Sequence, residues 1–118
     1  MISSNNIKLI FFGIFFNFGT LQAVSADDFS DKIKVADNKL LVEQYEEAIT
    51  LYQNIIQSSD VPAVVAYAHY KLGTLYKRQN RPEKAKLEYK AGLLSLKEAD
   101  ESHHQIAKYL TRALQTGG

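Results

Sequence analysis

Cysteine is absent from this 118-residue chain, which excludes disulfides, thiolate metal sites and a lipid-modified amino-terminal cysteine. Proline is scarce. Pro62 and Pro82 are the only two, and each stands just after a polar, helix-breaking stretch, where proline opens a helix. Charge of one sign is lacking too: the formal net charge is +1, which argues against nucleic acid as a partner. No glycine-flanked nucleophile and no phosphate-binding glycine loop is present. Histidine occurs only at His69, His103 and His104. No catalytic constellation stands out, so the chain reads as non-enzymatic and without a cofactor.

The amino-terminal stretch has a different composition from the rest. Lys8 gives a weakly positive start, Leu9 to Phe18 is an apolar run broken by Gly13 and Asn17, and Ala23-Val24-Ser25-Ala26 precedes Asp27-Asp28. This is the layout of a secretory signal peptide over residues 1–26, with cleavage expected after Ala26. The competing reading is a retained anchor from Ile7 to Val24. It would have to absorb Asn17, Thr20 and Gln22 and falls short of the roughly 20 apolar residues of a span. No stable membrane span is expected after cleavage. An exported domain without disulfides must be held by packing alone.

Beyond the leader the apolar residues recur at helical spacing. The first helix is expected over Phe29–Val42, with Ile33, Ala36, Leu40 and Leu41 together, and the second over Tyr45–Gln57. Ser58-Ser59-Asp60 ends the second helix, with Asp60 a candidate cap for a third from Pro62 to Gln79. Pro82 opens a fourth helix, and Asp100–Gln115 shows a fifth pattern through Ile106, Ala107, Leu110, Ala113 and Leu114.

One arrangement is more specific than periodicity. Leu72-Gly73, Tyr76, Ala85 and Tyr89 set small residues where two antiparallel helices touch, and large ones around them. Val35-Ala36, Ala48 and Tyr52 repeat the order of residue types, read as a period of 34 residues, and Gln44 to Ile49 leads into the second helix. On these residues, from Phe29 to Leu114, the chain resembles the tetratricopeptide repeat family, whose unit is about 34 residues long. The resemblance implies an all-α, short α-solenoid. It divides the chain into one helix pair over 29–62, a second over 66–99 and a capping helix over 100–115. Ala36, Ala48, Gly73, Ala85 and Ala107 become its packing positions. The chain departs from the family at Lys39, where a large apolar residue is usual, and at His69, where tryptophan is. Asp60 and Lys97 stand where a closing proline is usual.

The resemblance also implies a concave groove lined by the first helix of each pair. Carried onto this sequence, its residues are Ser30, Ile33, Asp37, Leu40 and Leu41, then Tyr67, Tyr70, Thr74, Lys77 and Arg78. The capping helix adds Glu101, His104, Lys108, Thr111 and Arg112. Tyr67 and Tyr70 beside Lys77, Arg78, Lys108 and Arg112 form an aromatic, cationic strip suited to an extended protein segment with acidic side chains. Ile33 and Asp37 replace the lysine and asparagine with which some family members clamp a terminal carboxylate, and an aspartate there repels one.

The expected role is therefore a protein–protein interaction module, a scaffold or assembly factor in a bacterial periplasm or outside the cell. Two alternatives stand beside it. From Asp27 to Pro62 there are eight acids against three lysines, and from Ala63 onward ten Lys and Arg against five acids. Opposite charge on the two parts would let copies stack into a homo-oligomer, which also suits a domain with fewer than the three repeats usually needed. A metal site at His69 and His103 with Glu101 or Asp100 is the more remote alternative; no metal is expected.

Overall fold

The computed structural model describes residues 26–116, in which five α-helices and no strand are present. They are α1 (Ala26–Leu41), α2 (Tyr45–Ser58), α3 (Pro62–Arg78), α4 (Pro82–Glu98) and α5 (Gln105–Gln115). The fold is all-α. The expected leader lies outside the described residues, apart from Ala26, the first residue of α1. None of the described helices is long and apolar enough to cross a membrane.

Each helix packs on the next in chain order, and α3 with α4 forms the most extensive pair. The odd-numbered helices also touch, α1 with α3 and α3 with α5, so these three share one face. The core runs continuously through Phe29, Ala36 and Leu40 of α1, Ala48, Tyr52 and Ile55 of α2, and Leu72, Leu75 and Tyr76 of α3. Ala85, Tyr89 and Leu96 of α4 and Ile106 and Leu110 of α5 complete it. Each fully buried Leu or Ile contributes about 1.5–3 kcal/mol relative to exposure. Small residues set the helix separation. A Cβ on Gly73 would overlap the Tyr89 ring, so glycine there lets α3 and α4 close around that tyrosine. Gly92 does the same for Leu110, which would lie 3.0 Å from a Cβ.

Three turns are built alike. Glu43, Asn80 and Asp100 follow the ends of α1, α3 and α4 with φ of 62°, 60° and 58°. In each turn two amides close back on the helix: Glu43 to Leu40 and Gln44 to Lys39, Asn80 to Lys77 and Arg81 to Tyr76, Asp100 to Lys97 and Glu101 to Leu96. This left-handed closure satisfies carbonyls that the helix end leaves free. The link from α2 to α3 is different. Ser59 leaves the helix extended at ψ 138°, and its Oγ accepts from the Val61 amide at 3.0 Å.

Several boundaries differ from those read in the sequence. Equivalent residues of the two helix pairs stand 37 positions apart, not 34, as Ala36 and Gly73, Ala48 and Ala85, and Tyr52 and Tyr89 show. The surplus falls between Ile55 and Ala66, where the extended link and an added first turn of α3 lie. Asp60 is not the cap of α3; Val61 holds that place without a side-chain cap, and Pro62 is the first helical residue. Helix α5 begins at Gln105 rather than Asp100, because the left-handed turn at Asp100 interrupts any helix. His104 caps it, its Nδ1 accepting from the Ile106 amide at 3.2 Å.

Candidate functional site

The face shared by α1, α3 and α5 carries two adjoining depressions. The first, of about 530 Å³, is lined by Ile33 of α1, Ala63, Val64, Tyr67, Tyr70 and Lys71 of α3, and His104, Gln105, Ile106 and Tyr109 at α5. The second, of about 500 Å³, is lined by Tyr70, Thr74, Lys77, Arg78 and Tyr89 and by Tyr109, Arg112, Ala113 and Thr116. Tyr70 and Tyr109 belong to both. Their ring centroids are 6.1 Å apart and tilted by 59°, and Tyr70 also lies 6.0 Å from the ring of Tyr89. Tilted pairs at this separation are the favoured aromatic geometry. The result is an aromatic bar standing between an apolar depression and a cationic one.

Asp37 anchors the floor near the first depression. Its carboxylate accepts from the hydroxyl of Tyr52 and, at 2.8 Å, from that of Tyr67. Lys71 Nζ adds a looser ion pair at 4.0 Å and lies 5.8 Å from the Tyr67 ring centroid. One carboxylate on α1 thus ties together donors from α2 and α3. Burial, then the hydrogen bond to Asp37 and its negative charge, raise the Tyr52 phenol far above its ordinary pKa. The same causes in the same order raise Tyr67. Both hydroxyls are held as donors. They position the Tyr67 ring at the groove and are unsuited to proton transfer near neutral pH.

The groove residues read from the sequence divide into those the structure gathers and those it separates. Tyr67, Tyr70, Thr74, Lys77, Arg78, His104 and Arg112 line the two depressions, and Ile33 joins them. Leu40 is core, and Leu41 is exposed. Lys108 and Thr111 line a hollow beside the two depressions with Ser102, Ala107, Arg112 and Gln115, and Lys108 lies with His103, Tyr109 and Arg112 in another. The expected row on the capping helix is displaced because α5 packs with Leu110 against Gly92, which turns Tyr109 toward Tyr70. Tyr109, four residues after Gln105, takes the place assigned to Lys108. Lys71 was also missed, although it stands one turn beyond Tyr67.

The packing residues Ala36, Ala48, Gly73, Ala85 and Ala107 are all buried. Lys39, in place of a large apolar residue, reaches across to α2, with Nζ 2.9 Å from both Gln44 Oε1 and Glu47 Oε1. His69 is half-buried, with Nδ1 2.8 Å from Glu88 Oε1 of α4. His104 spends its Nδ1 on the cap, and His103 is exposed beside Lys108 and Arg112. Among the described residues no three His, Asp or Glu side chains gather as a metal site. No family model, curated protein or solved structure matches the chain.

Proposed function

We propose that this chain is a non-enzymatic interaction module of the tetratricopeptide kind, holding an extended segment of a partner protein against the α1–α3–α5 face. The observation that carries this reading is the open aromatic depression formed by Ile33, Val64, Tyr67, Tyr70, Ile106 and Tyr109. Large apolar area with polar tips is the chemistry of residues that dominate binding to protein segments. Two features support a repeat array: the matched order of buried small and large residues in the two helix pairs, and the matched turns at Glu43 and Asn80. Successive first helices lie side by side, which is how such arrays expose a continuous face. The tyrosines there serve packing and positioning. With the leader read from the sequence, the role becomes that of a scaffold or assembly factor in the cell envelope.

The test is photo-crosslinking in cells from a probe at Tyr109, with a control probe at Leu87, which is 66% exposed on α4. The expected result is one defined protein captured from Tyr109, absent from Leu87 and lost on Tyr70→Ala. Equal capture from both positions, or none from either, overturns the reading. The charge contrast between the acidic start and the basic remainder favours a second reading, self-stacking of copies. Capture of the chain's own first helix pair from Tyr109, suppressed by salt, would favour it instead.

A further inference from the structure

Resting on that groove reading, we infer that the preferred segment carries one large apolar side chain and, about four or five residues away, a cluster of carboxylates. The two depressions meet at Tyr70 and Tyr109 but differ in chemistry. The first is apolar, and its one lysine, Lys71, is matched by Asp37 at 4.0 Å. The second brings Lys77, Arg78 and Arg112 together, and no Asp or Glu lines it.

Among the described residues none of these three cations is in an ion pair, and what sets them apart is their gathering in one depression with no carboxylate. Basic residues in a last helical turn offset the negative end of the helix dipole. Lys77 and Arg78 lie in the last turn of α3 and Arg112 in the last turn of α5, so the dipole accounts for each of them alone. It does not account for their meeting on one side of an aromatic bar. Guanidinium groups so placed pair with carboxylates in a two-pronged geometry. Positive charge is therefore neutralised at one end of the groove and left free at the other.

The spacing follows from helix geometry. Tyr67 and Lys77 are ten residues apart on α3, about 15 Å at the helical rise. An extended segment covers that distance in about four or five residues at roughly 3.3 Å each. The apolar side chain sits against Ile33 and Tyr67, the backbone crosses the Tyr70–Tyr109 bar, and the carboxylates reach the cations.

The probe for the test is a pool of synthetic peptides with one fixed phenylalanine and Asp or Asn randomised at every other position. Phenylalanine is placed near either end in turn. Peptides retained by the full chain are sequenced, and their affinities are measured by fluorescence anisotropy. The expected result is Asp enriched four or five positions from phenylalanine, with affinity that falls as salt rises. The K77Q/R112Q pair should weaken binding by about tenfold and K77E/R112E by more, with helix content unchanged by circular dichroism. The neutral pair keeps the test valid if charge reversal disturbs the fold.

Equal retention of Asp and Asn peptides, indifferent to K77Q/R112Q, would leave the groove standing and overturn the carboxylate assignment. Retention of no peptide, with a partner still crosslinked from Tyr109, would do the same. Failure of both experiments overturns both readings. If K77E/R112E changes only the sedimentation of the chain itself, the occupant is a second copy and the peptide proposal is wrong.

Discussion

Single residues carry unequal weight in this fold, and the difference is physical. Gly73 is the tightest point: alanine there gains roughly 1 kcal/mol of helix propensity but must displace the buried Tyr89 ring. Overlap in a filled core typically costs about 1–3 kcal/mol, so Gly73→Ala is expected to lower the melting temperature. The loss should be smaller when Tyr89→Leu is made with it, since the two changes share one contact. Glu43 makes the opposite case. It holds φ 62° without being glycine, a conformation costly for a side chain with a Cβ. Glu43→Gly is expected to raise stability by about 0.5–1 kcal/mol in urea unfolding, the relief of strain exceeding the entropy lost.

Tyr52 and Tyr67 make stability depend on alkaline pH. Their phenols are raised in the fold, whereas in the unfolded chain they ionise near the ordinary value of about 10. Below that pH their contribution is complete. Above it the unfolded chain binds fewer protons than the folded one, so stability falls as pH rises toward the folded values. Tyr52→Phe is expected to lower stability near neutral pH by about 1.5–3 kcal/mol through the lost bond to the Asp37 carboxylate. It should also flatten the decline above about pH 10, measured as melting temperature against pH. An unchanged alkaline slope would show that Tyr52 ionises no differently in the two states.

Among the elements, α5 depends most on its neighbours. It spans Gln105–Gln115, a length marginal for an isolated helix, and starts from a single side-chain cap at His104. Its anchor is Leu110, fully buried in the notch left by Gly92. Leu110→Ala is expected to cost about 2–5 kcal/mol and to loosen α5 selectively, read as faster amide exchange there than in α3. Uniform loss of protection would mean that α5 unfolds only with the whole domain. Legibility also varied by element. The starts of α3 and α4 were plain, because proline can open a helix but not continue one. The start of α5 was not, since Asp100 is an ordinary residue whose left-handed conformation no pattern of apolar spacing reveals.

For the whole molecule the question is whether one helix pair can stand alone. Asp37 of α1 takes two of its three partners, Tyr67 and Lys71, from α3, and α2 packs on α3 as well as on α1. A helix pair whose core continues into its neighbour draws stability from the interface between them. A fragment covering residues 26–60 is therefore expected to be largely unfolded by circular dichroism, while residues 26–116 melt cooperatively. A sharp thermal transition in the fragment would show that the first pair carries its own stability. The same dependence brings the groove into being, since its lining comes from α1, α3, α4 and α5.

The sequence by itself determined the all-helical class, the helices up to Glu98 to within a few residues, and the small residues at which they meet. Those properties follow from local spacing, from proline and from the size of a side chain. It also held most of the groove: Tyr67, Tyr70, Thr74, Lys77 and Arg78 lie on one helix face, and a helix face is fixed by its own period. Only the tertiary structure decided the rest. Asp37 is a junction among three helices because Tyr52 and Tyr67 reach it from elsewhere in the chain. Tyr109, not Lys108, faces Tyr70 because α5 seats Leu110 against Gly92 of α4. Rotation of one helix against another is a property of the packed pair, and a linear pattern does not contain it.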